Sequence, residues 1–341
     1  MSSIPLQFFA MQASDHFNGK IYLNPVTTDV MKPGAFFKVM RKFFSRHPGR
    51  EPKASLGPFS VDLSVFQALL LQSLRITWLG HSSVLIEIDG KRFLTDPIWY
   101  DRVSPFKYFG PKRFFKNPLN IFDLPSIDFI LLSHDHYDHL DKKSILHLAT
   151  ANIPIVTMIG VGKRLLNWGV KPSLITELDW WQSTQIFEGF TITAAPARHF
   201  SGRWINDRFK TLWGSFAIKS PEHNIFFGAD SGYFDGFTAI GQKLGPFDLA
   251  MLEIGAYNEE WESIHMGPEN AVQAAIDLGH PLLMPIHWGT FNLAMHPWKE
   301  PVERLIKEAD RRDVKLFLPL PGETVAVRNE AYNSQWWTRF E

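Results

Sequence analysis

Cysteine is absent from this sequence. Disulfides and thiolate ligands are therefore excluded, and any metal site has to be built from His, Asp and Glu. An excess of one charge is also missing, since 35 Lys and Arg face 35 Asp and Glu. Nucleic-acid binders usually carry a basic surplus, so no nucleic-acid partner is expected, and any attraction for anions must be local. No run reaches the ~18 consecutive apolar residues that a membrane-spanning helix needs. The opening residues MSSIPLQFFAMQASDH lack the basic start, apolar stretch and small-residue cleavage pattern of a signal peptide, which makes a cytoplasmic location the default expectation. What the chain does have is aromatic bulk, with 29 Phe and 12 Trp in 341 residues. An aromatic-rich core is the simplest reading of that bias.

Residues 1–70 are punctuated by Pro25, Pro33, Pro48, Pro52 and Pro58 and read as an extension packed on or near a main domain spanning 71–341. From Arg75 the pattern changes. RITWLG, SVLIEI and KRFLTD are short β-branched and aromatic runs, the last two joined by Asp89-Gly90, a strong hairpin signal. Further short apolar runs follow: IDFILLS, PIVTMI, FTITAAP, GSFAIKS, NIFFGAD, DLAMLEIG, LLMPIHW and KLFLPL. Such runs suit strands buried between covering layers. Helices are expected over ENAVQAAIDLG, opened by Gly267-Pro268 and closed by Gly279, and over PVERLIKEADRR, opened by Pro301. Two mixed or mostly antiparallel sheets flanked by helices follow, an α/β architecture.

The chemistry is concentrated in His134-Asp135-His136-Tyr137-Asp138-His139, which ends the strand IDFILLS. Alternate side chains of an extended segment point the same way, so His134 and His136 converge on one cation, and the following turn swings Asp138 and His139 toward a second. His199, Asp230 and His287 sit where three other strands should end, as a site assembled from loops at one sheet edge requires. His-dominated donors with a few carboxylates suit two Zn2+ ions, with Mn2+ or Fe2+ as alternatives on ligand type alone. Two such cations about 3.5 to 4 Å apart share a water, lower its pKa and clamp the electrophile, so attack by a bridging hydroxide is expected.

The signature HxHxDH with a later His, Asp and His resembles the metallo-β-lactamase superfamily. The similarity is closest to the branch that hydrolyses N-acylphosphatidylethanolamine by phospholipase D chemistry. It runs from Arg75 to Val325 through GHSSVLIEIDGKRFLTDPI, GPKRF, SHDHYDHLD, ELDWW, LWGS, FFGADSGY, GPFDLA, IGAY and IHWGTF, with FNGKIYLNP upstream. Residues 30–70 match nothing in that branch. The resemblance implies an αββα sandwich of two mixed β-sheets. In it His134, His136 and His199 would hold one metal, Asp138, His139 and His287 the other, and Asp230 would bridge them. It further implies that His265 contacts the substrate phosphate, and that Asp96 and His81 brace the metal-holding residues without binding metal. The oxygen-reducing di-iron relatives place a Glu where His136 stands, which favours hydrolysis here. The implied activity is a phosphodiesterase of phospholipase D type. It would convert N-acylphosphatidylethanolamine-like lipids to an N-acylethanolamine and phosphatidic acid.

Rival readings are a sugar-phosphate lactonase or soluble phosphodiesterase on the same site, and a metal-binding regulatory protein without turnover. Arg198, Arg203, Arg208 and Lys210 flank His199 and either order an anionic head group or form a solvated loop. Peripheral membrane contact is expected through residues 36–46, where Phe36, Val39 or Met40, and Phe43 or Phe44 share helical spacing, and through the basic-aromatic run 105–118.

Overall fold

The computed structural model describes residues 14–35, 37–39, 41, 49–67, 73–106 and 108–340. The Asp89-Gly90 hairpin forms as expected. It joins β2 (Val84–Ile88) to β3 (Lys91–Thr95), with Ile88 opposite Lys91 and both turn residues at positive φ, 44° and 78°. Left-handed backbone at both central positions is what a two-residue turn needs to match the strand twist. β1 (Leu74–Trp78) pairs with β2 on the other side. Beyond β3 the sheet turns parallel through β4 (Phe129–Leu132), β5 (Ile155–Met158) and β6 (Ile175–Leu178), with crossovers through α1 (Lys142–Ala149) and α2 (Val161–Asn167).

The second sheet repeats the plan. β7 (Ser183–Phe187), β8 (Phe190–Ala195), β9 (Ser215–Lys219) and β10 (Asn224–Phe227) are antiparallel neighbours. After α3 (Gly236–Leu244), β11 (Leu249–Glu253), α4 (Pro268–Asp277) and β12 (Leu282–Ile286) extend it in parallel. α5 (Glu300–Arg312) then precedes the two-residue β13 (Phe317–Leu318), β14 (Thr324–Ala326) and β15 (Tyr332–Asn333). The resulting orders are β14-β1-β2-β3-β4-β5-β6 and β12-β11-β10-β9-β8-β7.

Each sheet is thus mixed, and one contiguous core joins them through residues such as Trp78, Phe93, Phe129, Trp213, Phe216 and Phe226. Both expected helices form where their Pro and Gly signals place them. α4 buries Ala271, Val272, Ala274 and Ala275, small residues that let it lie close to its sheet. The run KLFLPL departs from expectation: only Phe317–Leu318 are strand, paired with β15 outside both large sheets. β14, which sequence reading missed, instead closes the edge beside β1.

One further expectation needs correction, and another falls mostly outside the described residues. In the run 105–118, Arg113, Phe114 and Phe115 are buried, with Arg113 donating to the Leu79 and Ile98 carbonyls, so that half is core. Only its first half stands out, with Phe106, Tyr108 and Phe109 at 57%, 73% and 75% exposure. In 36–46, residues 36, 40 and 42–46 lie outside the described residues; of the rest, Phe37 is exposed, Val39 is buried and Lys38 pairs with Glu260. No helix of the described residues is long and apolar enough to cross a membrane.

Candidate metal centre

Strand ends of both sheets meet at one edge of the sandwich, and the polar residues singled out in the sequence meet there. His134 and His136 follow β4, and His199 follows β8. Their ring nitrogens crowd together, with His134 Nε2 and His199 Nε2 at 2.9 and 3.3 Å from His136 Nδ1. Beside them, Asp138 Oδ2 lies 3.3 Å from His287 Nε2, 3.6 Å from His139 Nε2 and 3.1 Å from His81 Nε2. Asp230, after β10, reaches toward both groups: it is 3.1 Å from His139, 3.2 Å from His287 and 3.7 Å from His199.

The outer nitrogens of these rings are held from behind. Asp96 Oδ2 lies 2.7 Å from His139 Nδ1 and accepts from Ser133 Oγ at 2.6 Å, while Ser133 Oγ lies 2.9 Å from His134 Nδ1. His199 Nδ1 donates to the Ile264 carbonyl at 2.8 Å, and Asn24 grips the His199 backbone from both sides. Fixing one nitrogen of an imidazole sets its orientation and leaves the other for a ligand. Asp96 touches His139 in this way, and His81 touches Asp138.

The electrostatics are those of a site crowded with donors. Burial, with repulsion between neighbouring rings, lowers His81, His136 and His199 to about 3 and holds His134 well below its ordinary value. His265 falls to about 4 by burial. Burial also lowers His139 and His287, but Asp230 and Asp138 overcome it, raising His139 well above the usual range and His287 to about 10. Burial alone would raise Asp138 and Asp230; the adjacent imidazoles outweigh it and hold both well below the carboxylate range.

These directions give a prediction for protein stripped of metal by chelation. Where the folded pKa lies below the unfolded value of about 6.5, the unfolded chain takes up protons the folded chain refuses, so stability is lost as pH falls from 6.5 toward 3. His287 acts oppositely: its contribution is complete below about 6.5 and is lost as pH rises through about 10. Calorimetry should show a melting temperature that drops steeply as pH falls from 6.5 to 4 and declines also as pH rises from about 7 toward 10. A flat profile from pH 7 to 4.5 would contradict the burial of neutral histidines.

Some donors are not satisfied by protein. His139 Nε2 and Asp230 Oδ1 are buried, 3.1 Å apart, and form no hydrogen bond, and His287 Nδ1 also has no hydrogen-bond partner among the described residues. Buried polar atoms are rarely left so, and a cation between them resolves the cost for both. A donor set of imidazoles and carboxylates, grouped within 4.8 Å, fits divalent metal.

The donors floor an open cleft of about 260 Å3, whose walls include Val30, Met31, Phe200, Trp261 and Leu293, with the cation Arg208. His265 lines it too, half-buried beside His199 and His287. The other basic residues near His199 face elsewhere. Arg203 stacks 3.7 Å over Tyr137 and donates to the Asp135 and Leu140 carbonyls; Arg198 is bound to Thr27, Thr28 and Tyr233, and Lys210 to the Lys20 carbonyl. These three are struts of the loop, and of the four only Arg208 lines the cleft.

Sequence reading missed Glu253, fully buried at the end of β11, and Asp135, which ties Arg164 to the Gly202 amide. The signal for Glu253 was present: it is the lone charge in the apolar strand LAMLE.

Two mixed sheets with helices, and an edge where imidazoles and carboxylates converge unsatisfied, define a metal-dependent hydrolase of the metallo-β-lactamase fold. The chain belongs to the family described as "Beta-lactamase superfamily domain", which it matches over residues 91–288. It is 43% identical over 321 residues to an uncharacterized protein of Mycobacterium tuberculosis, covering 93% of this chain and 85% of that one. It is 34% identical over 316 residues to N-acyl-phosphatidylethanolamine-hydrolyzing phospholipase D 1 of Caenorhabditis elegans, covering 87% and 88% respectively. Among solved structures, isothiocyanate hydrolase from Delia radicum gut bacteria superimposes with a TM-score of 0.60 at 19% identity, over 74% of this chain and 98% of that one, a likeness of fold alone.

Proposed function

We propose that this protein is a binuclear, zinc-dependent phosphodiesterase of phospholipase D type. It hydrolyses N-acylphosphatidylethanolamine-like lipids to an N-acylethanolamine and phosphatidic acid. The observation that carries this reading is the pair of donor groups, joined by Asp230, at the floor of a cleft walled by apolar side chains. His134, His136 and His199 would hold one ion and Asp138, His139 and His287 the other, with Asp230 serving both groups. Bound there, two divalent cations supply Lewis acidity and an activated water.

The chain's own groups do the rest. Val30, Met31, Phe200, Trp261 and Leu293 take lipid chain adjacent to the phosphate and exclude water from it. His265 meets the phosphoryl group; neutral at rest, it takes a proton from the attacking water and passes it to the departing N-acylethanolamine oxygen as the water oxygen replaces that oxygen on phosphorus. The apolar wall favours a lipid diester over the sugar-phosphate lactone of a rival hydrolase, whose polar ring would need more hydrogen-bonding partners. Exposed Phe106, Tyr108 and Phe109, with Phe106 against Trp204 and Ile205 at 93% exposure, form a surface suited to the interface of a bilayer.

Metal-loaded protein should convert N-acylphosphatidylethanolamine in vesicles to the two products, read by mass spectrometry. Turnover of a lactone panel without any diester cleavage would replace this reading with the rival one. The triple substitution of Phe106, Tyr108 and Phe109 by Ser should lower co-sedimentation with anionic vesicles while soluble diester hydrolysis persists. Equal sedimentation of both proteins would remove the surface from the account.

A further inference from the structure

Glu253 is a buried carboxylate for which the mechanism above has no use. An ionisable group enclosed in this way is costly unless its oxygens are bonded, and both of these are engaged. Oε1 accepts from the Ser231 amide at 2.6 Å, and Oε2 lies 2.7 Å from His265 Nδ1. His265 belongs to the irregular segment between β11 and α4, so no strand or helix fixes its ring. Its aromatic neighbours, His199 and His287 at 4.9 and 5.4 Å between centroids, limit tilt. They do not distinguish one edge of the imidazole from the other. The hydrogen bond to Glu253 does. With Nδ1 engaged behind, Nε2 is the nitrogen left toward the cleft that His265 lines, and it has no hydrogen-bond partner among the described residues.

We propose that Glu253 is a positioning residue for phosphodiester hydrolysis, locking the His265 ring so that Nε2 is presented to the substrate phosphate. The proposal rests on the phosphodiesterase reading. It adds a residue outside the expected set and a reason for an ionisable side chain to stand inside an apolar strand. The same carboxylate holds the amide next to Asp230, so a role through His265 has to be separated from a role through the metal centre.

A double-mutant cycle on a soluble activated diester, with metal content measured for each protein, makes that separation. Glu253→Ala should lower kcat by about 10- to 100-fold, the usual cost of losing a group that orients a site residue. KM and metal content should hold. Glu253→Gln, whose amide oxygen can stay on the Ser231 N–H while its NH2 faces Nδ1, should recover most of kcat. In a His265→Ala background, Glu253→Ala should change kcat by less than about twofold, because residues acting as one unit are not additive. Glu253→Met, which fills the volume without an acceptor, carries the same expectations should the Ala variant fold poorly. Full kcat in Glu253→Ala and Glu253→Met, or an equal loss with and without His265, would overturn the proposal.

Histidine-labelled, metal-free protein supplies a readout independent of turnover. The ring signal absent from His265→Ala should be single and sharp in wild type and Glu253→Gln, and broadened or split in Glu253→Ala. An unchanged signal would refute the lock even if wild-type protein cleaved no diester, so failure of the positioning claim and failure of the functional reading are told apart.

Discussion

Asp138→Asn and His287→Ala should each cut turnover of the best diester substrate by roughly 10²- to 10³-fold or more, the loss that follows removal of one pre-organised electrostatic group. Both side chains meet at one point, with His287 Nε2 at 3.3 Å from Asp138 Oδ2 and 3.2 Å from Asp230 Oδ2. Asn keeps the shape of Asp138 but removes the charge that the surrounding imidazoles stabilise, and Ala at 287 removes the nitrogen that reaches both Asp138 and Asp230. The fold should survive both changes, since the core that carries the strand ends is untouched. Near wild-type turnover in either variant would show that the second donor group is not part of the reaction.

Asp96→Ala should instead act first on stability, costing about 3 to 5 kcal/mol, as breaking a buried, hydrogen-bonded charged network does. Asp96 is wholly buried, and its carboxylate serves the Ser133 amide at 2.8 Å, the Ser133 hydroxyl at 2.6 Å and His139 Nδ1 at 2.7 Å. Removing it orphans all three. It also frees the His139 ring, so affinity for the second ion should fall by roughly 10- to 100-fold. Asp96→Asn should be milder, because Asn tolerates the left-handed backbone at this position, φ 34°, and retains one acceptor. Denaturant midpoints with metal titrations check both parts. An Ala variant as stable as wild type would mean that the network carries no net energy.

What could be read from the sequence follows from the range of the interactions involved. The HxHxDH cluster is local, as is the Asp89-Gly90 turn, and both formed where they were read. The placement of His199, Asp230 and His287 at strand ends required only that each apolar run be a strand. Three things depended on which strands and loops become neighbours, and these were not legible. β14 pairs with β1 across some 250 positions of sequence, Thr77 opposite Thr324. Val30 and Met31 come from a proline-punctuated segment with no periodicity, yet they wall the cleft. Arg203 looked like a free cation until Tyr137 and two carbonyls proved to be its surroundings. Glu253 shows the same limit from the opposite side, since its charge was plain in the strand and its partner lies twelve residues away on a loop.

The central claim is that two groups of donors, sharing Asp230, form a binuclear centre. Elemental analysis of protein purified gently from zinc-supplemented medium tests it most directly. The account predicts close to two divalent ions per chain, predominantly zinc; at most one tightly bound ion would contradict it.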